Sequence, residues 1–162
     1  MTEVQKNIPF KSKSVLARLD DIHEAIRQTC VQYPFPWVIG YSGGKDSTAT
    51  LQLCWYALSQ LPPEQRTKPI YVISTDTKVE TPVIVDRIHN SIDLMNKASR
   101  EQGLNLAAHK LSPILNDTFW VNLIGRGYPA PNSAFRWCTE RLKINPSNRF
   151  ILEKVAKHGE VI

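Results

Sequence analysis

The chain has 162 residues, enough for one buried core, with 42% apolar and 22% charged residues and a net charge of +5. No apolar run approaches the roughly 20 residues of a membrane span, and residues 1–14 hold no apolar stretch ahead of a small-residue cleavage site. The expectation is a soluble cytoplasmic protein with no membrane partner. Its positive balance suits an anionic substrate such as a nucleotide or DNA. Cys30, Cys54 and Cys138 are too scattered for a disulfide framework, so each is a buried thiol, a reactive thiol or a metal ligand.

In chain order, Val15, Leu19, Ile22, Ile26 and Cys30 recur at helical spacing behind the possible caps Ser12 and Ser14. Tyr33-Pro34-Phe35-Pro36 ends that helix. Trp37 to Tyr41 is short and apolar and predicts a buried strand. Thr48 to Gln60 predicts a helix, stopped by Pro62-Pro63. Ile70 to Ser74 predicts a second strand. Pro82 opens a long helix to about Gln102, closed by Gly103. Leu104 to Leu111 predicts a third strand, Ser112-Pro113 a helix through Trp120 to Ile124, residues 125–135 an irregular loop, and Ser147 to His158 a last helix. Alternating strands and helices predict an α/β fold, a three-layer α/β/α sandwich around a parallel sheet. The chain divides into an N-terminal helical segment, residues 1–36, and an α/β domain, residues 37–162.

The chemistry concentrates in Ser42-Gly43-Gly44-Lys45-Asp46-Ser47, between a strand and a helix. Ligands of open α/β sheets bind outside the carboxyl ends of strands. The two glycines let backbone approach a phosphate, and the first N–H groups of the following helix have no intrahelical partner and carry partial positive charge. Ser42 and Ser47 add hydroxyls, and Lys45 adds a charge. Asp46 suits Mg²⁺ as an oxygen ligand, or serves as a helix-start charge. The Walker pattern G-x-x-x-x-G-K-[ST] does not fit, because Gly40 to Gly44 is one residue short and Asp46 replaces the hydroxyl residue. The dinucleotide pattern G-x-G-x-x-G is absent as well.

Gly40-Tyr41-Ser42-Gly43-Gly44-Lys45-Asp46-Ser47 resembles the PP-loop of ATP-pyrophosphatases, the adenine nucleotide alpha hydrolase-like proteins. Ser74-Thr75-Asp76-Thr77 with Glu80-Thr81-Pro82, and Arg136-Trp137-Cys138-Thr139 with Leu142-Lys143, resemble segments of phosphoadenosine-phosphosulfate reductases and their relatives. The stretch from Trp37 to Ile162 is similar to the sulfurtransferases of bacterial DNA phosphorothioation, the C subunits of Dnd systems. The resemblance implies a loop that grips the pyrophosphate leaving ATP, with Lys45 and Asp46 at the reacting phosphates. It also implies DNA as substrate, a cysteine desulfurase as sulfur donor, further phosphorothioation subunits as partners, and a [4Fe–4S] cluster. Rival readings are a phosphoadenosine-phosphosulfate reductase, an ATP sulfurylase small subunit and a non-catalytic remnant.

Thr75 and Asp76, at the carboxyl end of the second strand, contact the adenosine, with Asp76 helping to hold Mg²⁺, or else they cap a turn. Cys138 matches a cluster ligand in the resembled family, but a [4Fe–4S] centre takes four cysteines, so it would need others downstream. Its alternatives are a redox or sulfur-carrying thiol and an inert core cysteine; Cys30 and Cys54 are expected in the core. Arg136, Arg141 and Lys143, with Arg149 nearby, bind a sulfate, phosphate or DNA backbone, or form a solvated face. Val161-Ile162 is expected to open a fourth strand beside the first, which would make the domain incomplete at its C-terminus.

Overall fold

The computed structural model describes residues 15–162, and side chains from residue 18 onward. The possible caps Ser12 and Ser14 lie outside the described residues. Three parallel strands, β1 (Trp37–Gly40), β2 (Ile70–Thr75) and β3 (Leu106–Leu111), form a sheet in the order β1-β2-β3. Trp37 pairs with Ile70, and Ile70 with Leu106. The helices are α1 (Val15–Gln32), α2 (Lys45–Ser59), α3 (Pro82–Glu101), the three-residue α4 (Trp137–Thr139) and α5 (Asn145–His158).

Alternation along β2 explains the layers. Ile70 and Val72 point into a cluster with Cys30 of α1, Leu51 and Leu58 of α2, and Ile88 and Ile92 of α3. Tyr71 and Ile73 point to the opposite face and meet Phe150 of α5. Both faces are covered, which is why the strand reads as an unbroken apolar run. Cys30 is buried and Cys54 packs half-buried against the first cluster, as expected of core thiols.

Each edge of the sheet is met at one position. On β3, Asn96 of α3 imitates a neighbouring strand: its Nδ2 donates to Ala108 O at 3.0 Å and its Oδ1 accepts from Ala108 N at 2.8 Å. On β1, Ile162 N donates to Pro36 O at 2.8 Å and Ile162 O accepts from Val38 N at 2.7 Å, the bonding of a parallel pair astride Trp37. Ile162 therefore sits where the fourth strand was expected. α2 and α3 lie on one face and α5 on the other, so the winding reverses beside β1, and the loop after β1 lies at the switch point.

Three expectations need correction. The single helix from Ser112-Pro113 to Ile124 is broken into a 3-10 turn, Leu115–Asp117, and a π-helical turn, Val121–Gly125. Thr118 is extended between them, and the fully buried Asn122 donates to Asn116 O at 3.1 Å and Thr118 O at 2.8 Å, fixing the break. α2 begins at Lys45 rather than Thr48 because Gly44, in extended conformation, already caps it. The last helix begins before Ser147: α4 runs through a π-helical turn, Glu140–Ile144, into α5. Pro146 has no N–H for the carbonyl four residues back, and just ahead of it the helix widens so that Asn145 N donates to Glu140 O, five residues back. The irregular loop ahead of this helix folds on an aromatic cluster. Trp137 stacks on Phe119 at 5.4 Å, meets Tyr128 edge-on at 5.5 Å, and donates its indole N–H to Pro129 O at 3.0 Å.

Candidate functional site

β1 ends at Gly40, and Tyr41 N still donates to Ile73 O at 2.8 Å, so the chain leaves the sheet under restraint. The next residues fold the loop onto itself. Ser42 and Ser47 bring their hydroxyls to 3.0 Å, Ser42 N donates to Ser47 Oγ at 3.2 Å, and Ser47 Oγ donates to Gly44 O at 3.1 Å. Gly43 has φ +74°, a conformation that costs an L side chain about 1–2 kcal/mol, which explains this glycine. Gly44 has φ −80°, open to any residue, and a Cβ there would meet only Ser42 Oγ at an ordinary contact distance of 3.4 Å, so the folded loop by itself does not demand this glycine. Thr48 N is the first α2 amide with an intrahelical acceptor, Gly44 O at 3.0 Å. The amides of Lys45, Asp46 and Ser47 precede it and present the positive end of α2 at the sheet's edge.

The loop borders a cleft of about 420 Å³, within the size of small-ligand sites. Ser42 and Ser47 line it from the β1 loop, Ser74 and Thr75 from β2, Glu80, Ile84 and Ile88 from the α3 side, and Lys143 and Ser147 from the helix built around the π turn. Ser74 is 2% exposed, and its hydroxyl has no partner among the described residues. The site thus joins backbone amides, the five hydroxyl side chains just named, one cation and one carboxylate to an apolar wall.

The expected residues divide between cleft and surroundings. Ser42, Ser47, Thr75 and Lys143 line the cleft. Gly43 and Gly44 shape the loop. Lys45 and Asp46 stand in solvent, with side chains 92% and 90% exposed and 3.5 Å apart. Asp76 is buried and does not line the cleft: its carboxylate accepts from Lys78 N at 2.9 Å and Lys78 Nζ at 3.0 Å, with Lys110 Nζ at 4.0 Å. Burial pushes the Asp76 carboxyl up, but these lysines outweigh it and hold it below its ordinary value. Asp76 thereby shapes the turn after β2, in which Lys78 has φ +63°.

Arg141 is engaged internally. It donates to Asp117 Oδ1 at 2.9 Å and to Tyr128 Oη at 3.0 Å, tying the helix to the loop before it. Arg136 is exposed, and Cys138 is half-buried on α4; neither lines the cleft. Among the described residues no three His, Cys, Asp or Glu side chains come together as metal ligands, and Cys30 is committed to the core, so these residues do not fit a [4Fe–4S] cluster. Among the described residues no helix is long and apolar enough to cross a membrane.

Ser74, Glu80 and Ser147 were not singled out as site residues from sequence. Ser74 and Glu80 fall in the quoted stretch after β2, but nothing in it tells which side chains turn to the cleft. Ser147 had no signal, because its position depends on the π turn.

No family model matches the chain. A curated relative, the uncharacterized protein MJ0066 of Methanocaldococcus jannaschii, is 29% identical over 128 residues, which are 79% of this chain and 22% of that protein. Among solved structures the chain is similar to the U34-tRNA thiolase NcsA from Methanococcus maripaludis, determined with its [4Fe–4S] cluster. The TM-score is 0.51 at 17% identity, covering 93% of this chain and 46% of the thiolase. The chain therefore spans about a fifth of one and under half of the other. With the three-stranded parallel sheet, helices on both faces and the loop at the switch point, this likeness establishes the fold as a three-layer α/β/α arrangement.

Proposed function

We propose that the cleft binds ATP with its phosphates on the Ser42–Ser47 loop and serves adenylyl transfer with release of pyrophosphate, the activating half of a sulfur-transfer reaction on DNA. The observation that carries this reading is the folded loop: a strand exit, a glycine at φ +74°, two hydroxyls 3.0 Å apart and a helix start, all bordering a nucleotide-sized cleft.

A DNA phosphate oxygen attacks the α-phosphorus of ATP, and the bond to the β-phosphate breaks. The α2 amides and the Ser42 and Ser47 hydroxyls stabilise the charge that collects on the leaving pyrophosphate. Lys143 faces the same cleft and offsets charge on the transferred phosphate. Lys45 and Asp46, in solvent at the loop's rim, meet the outer phosphates when nucleotide is present. Asp46 is a suitable oxygen ligand for Mg²⁺, which would supply charge neutralisation. The terminal sulfur of a persulfide carried by a cysteine desulfurase then attacks the activated phosphorus and AMP leaves; a thiol reductant cleaves the resulting S–S bond, freeing the phosphorothioate and the desulfurase cysteine. Other phosphorothioation subunits present the DNA, and Arg136 lies on the exposed surface available to it.

Two independent lines support sulfur transfer to nucleic acid. The motif resemblance points to DNA phosphorothioation, and the solved structure that shares the fold belongs to a tRNA thiolase. The test is ATP–pyrophosphate exchange with DNA, tRNA, sulfate or no acceptor added. Exchange stimulated by DNA is expected. Stimulation by tRNA alone would move the acceptor to RNA, and stimulation by sulfate would favour sulfurylase chemistry.

A further inference from the structure

Glu80 brings a half-buried carboxylate into the cleft that Ser42 and Ser47 border. Thr77, only 2% exposed, donates its hydroxyl to Glu80 Oε1 at 3.1 Å and so orients the group. Among the described residues no cation pairs with it. Lys78 and Lys110 turn to Asp76, at 3.0 and 4.0 Å, and Lys143, in the same cleft, makes no ion pair with it. A partly desolvated, acceptor-only group with one neutral donor calls for further donors from a ligand. Around it the cleft offers Ile84 and Ile88 as an apolar wall.

We propose that Glu80 accepts the ribose 2′- and 3′-hydroxyls of the bound adenine nucleotide and excludes nucleotides phosphorylated at either position. The inference rests on the ATP reading above and adds the residue that sets sugar specificity. A vicinal diol offers two O–H donors side by side, matching a carboxylate. The Watson–Crick edge of adenine matches it less well, because the acceptor N1 beside the amino group would face a carboxylate lone pair. A 2′- or 3′-phosphate would set like charges together in a poorly solvated pocket. Glu80 thus separates an ATP site from a site for 3′-phosphorylated sulfonucleotides.

The test titrates the wild-type chain and Glu80→Gln with Mg²⁺ and ATP, 2′-deoxy-ATP, 3′-deoxy-ATP or adenosine 3′,5′-bisphosphate. The wild type is expected to bind ATP about tenfold or more above either deoxynucleotide, as befits hydrogen bonds to a charged group. The variant is expected to bind ATP more weakly, to lose most of that preference, and to gain on the bisphosphate relative to ATP. Equal wild-type binding of ATP and the deoxynucleotides would overturn the Glu80 assignment alone. So would an unchanged preference in a Glu80→Gln protein whose thermal melt matches the wild type. If the wild type binds no adenine nucleotide at all, the phosphate-loop reading fails first and this inference falls with it.

Discussion

Ser42 and Ser47 hold their hydroxyls 3.0 Å apart across the turn between β1 and α2. This contact closes the loop, because Ser47 also accepts from Ser42 N and donates to Gly44 O. Replacing Ser47 by alanine removes all three bonds, whereas Ser42→Ala removes the hydroxyl pair and the 3.4 Å bond from Gly44 N. Both variants should weaken ATP binding, Ser47→Ala more, by about three- to tenfold for the net loss of neutral hydrogen bonds at an exposed loop. Titration calorimetry checks the order.

The two glycines fail differently. Gly43→Ala forces a Cβ into φ +74° and should lower stability by about 1–2 kcal/mol. Gly44→Ala keeps an allowed backbone and should melt close to the wild type, with its Cβ resting on Ser42 Oγ. If the phosphates lie on the loop as proposed, its effect should fall on ligand affinity. Thermal melts beside nucleotide titrations separate the two effects.

Arg141 tests structure against anion binding. Lysine cannot reproduce the fork that meets Asp117 and Tyr128 together, so Arg141→Lys should lower the melting temperature while leaving ATP affinity nearly unchanged. Lys143→Ala should do the reverse, because Lys143 faces the cleft. Swapped outcomes would return Arg141 to the binding residues.

Stability should fall on acidification. His109, packed between Tyr71 and Phe150 with a partnerless Nε2, is held below its ordinary 6.5 by burial and then by the Lys154 charge. The folded state therefore binds fewer protons than the unfolded chain. Its contribution is complete above pH 6.5 and is lost as pH falls below that value toward the folded pKa. Asp76 is depressed by Lys78 and Lys110 against its burial, and it adds a second loss below its ordinary 3.8. Urea melts at pH 7.5, 6 and 5 should show the first decline, and His109→Phe should flatten it.

The strands and the loop were legible because they depend on local features: buried parallel strands are continuous apolar runs, and a glycine pair between hydroxyls at a strand exit has few structural uses. What was not legible depends on partners far along the chain. Asp117 engages Arg141 from 24 positions away. Asp76 sits beside Thr75, yet it does not line the cleft, and Lys110, 34 positions on, approaches its carboxylate at 4.0 Å. The helix placing Lys143 and Ser147 at the site exists because a π turn precedes Pro146, which periodicity alone reads as a break. Glu80 was visible as part of a motif, but its exposure to the cleft and its lack of a cation are facts of packing.

The most direct test of the central claim is calorimetric titration of Mg-ATP into the chain and into Gly44→Val. Valine keeps φ near −80° within reach but fills the space against Ser42 Oγ. Saturable one-site binding to the wild type, abolished in a Gly44→Val protein that still melts cooperatively, is the expected result. Equal binding by both proteins would place the nucleotide elsewhere and contradict the account.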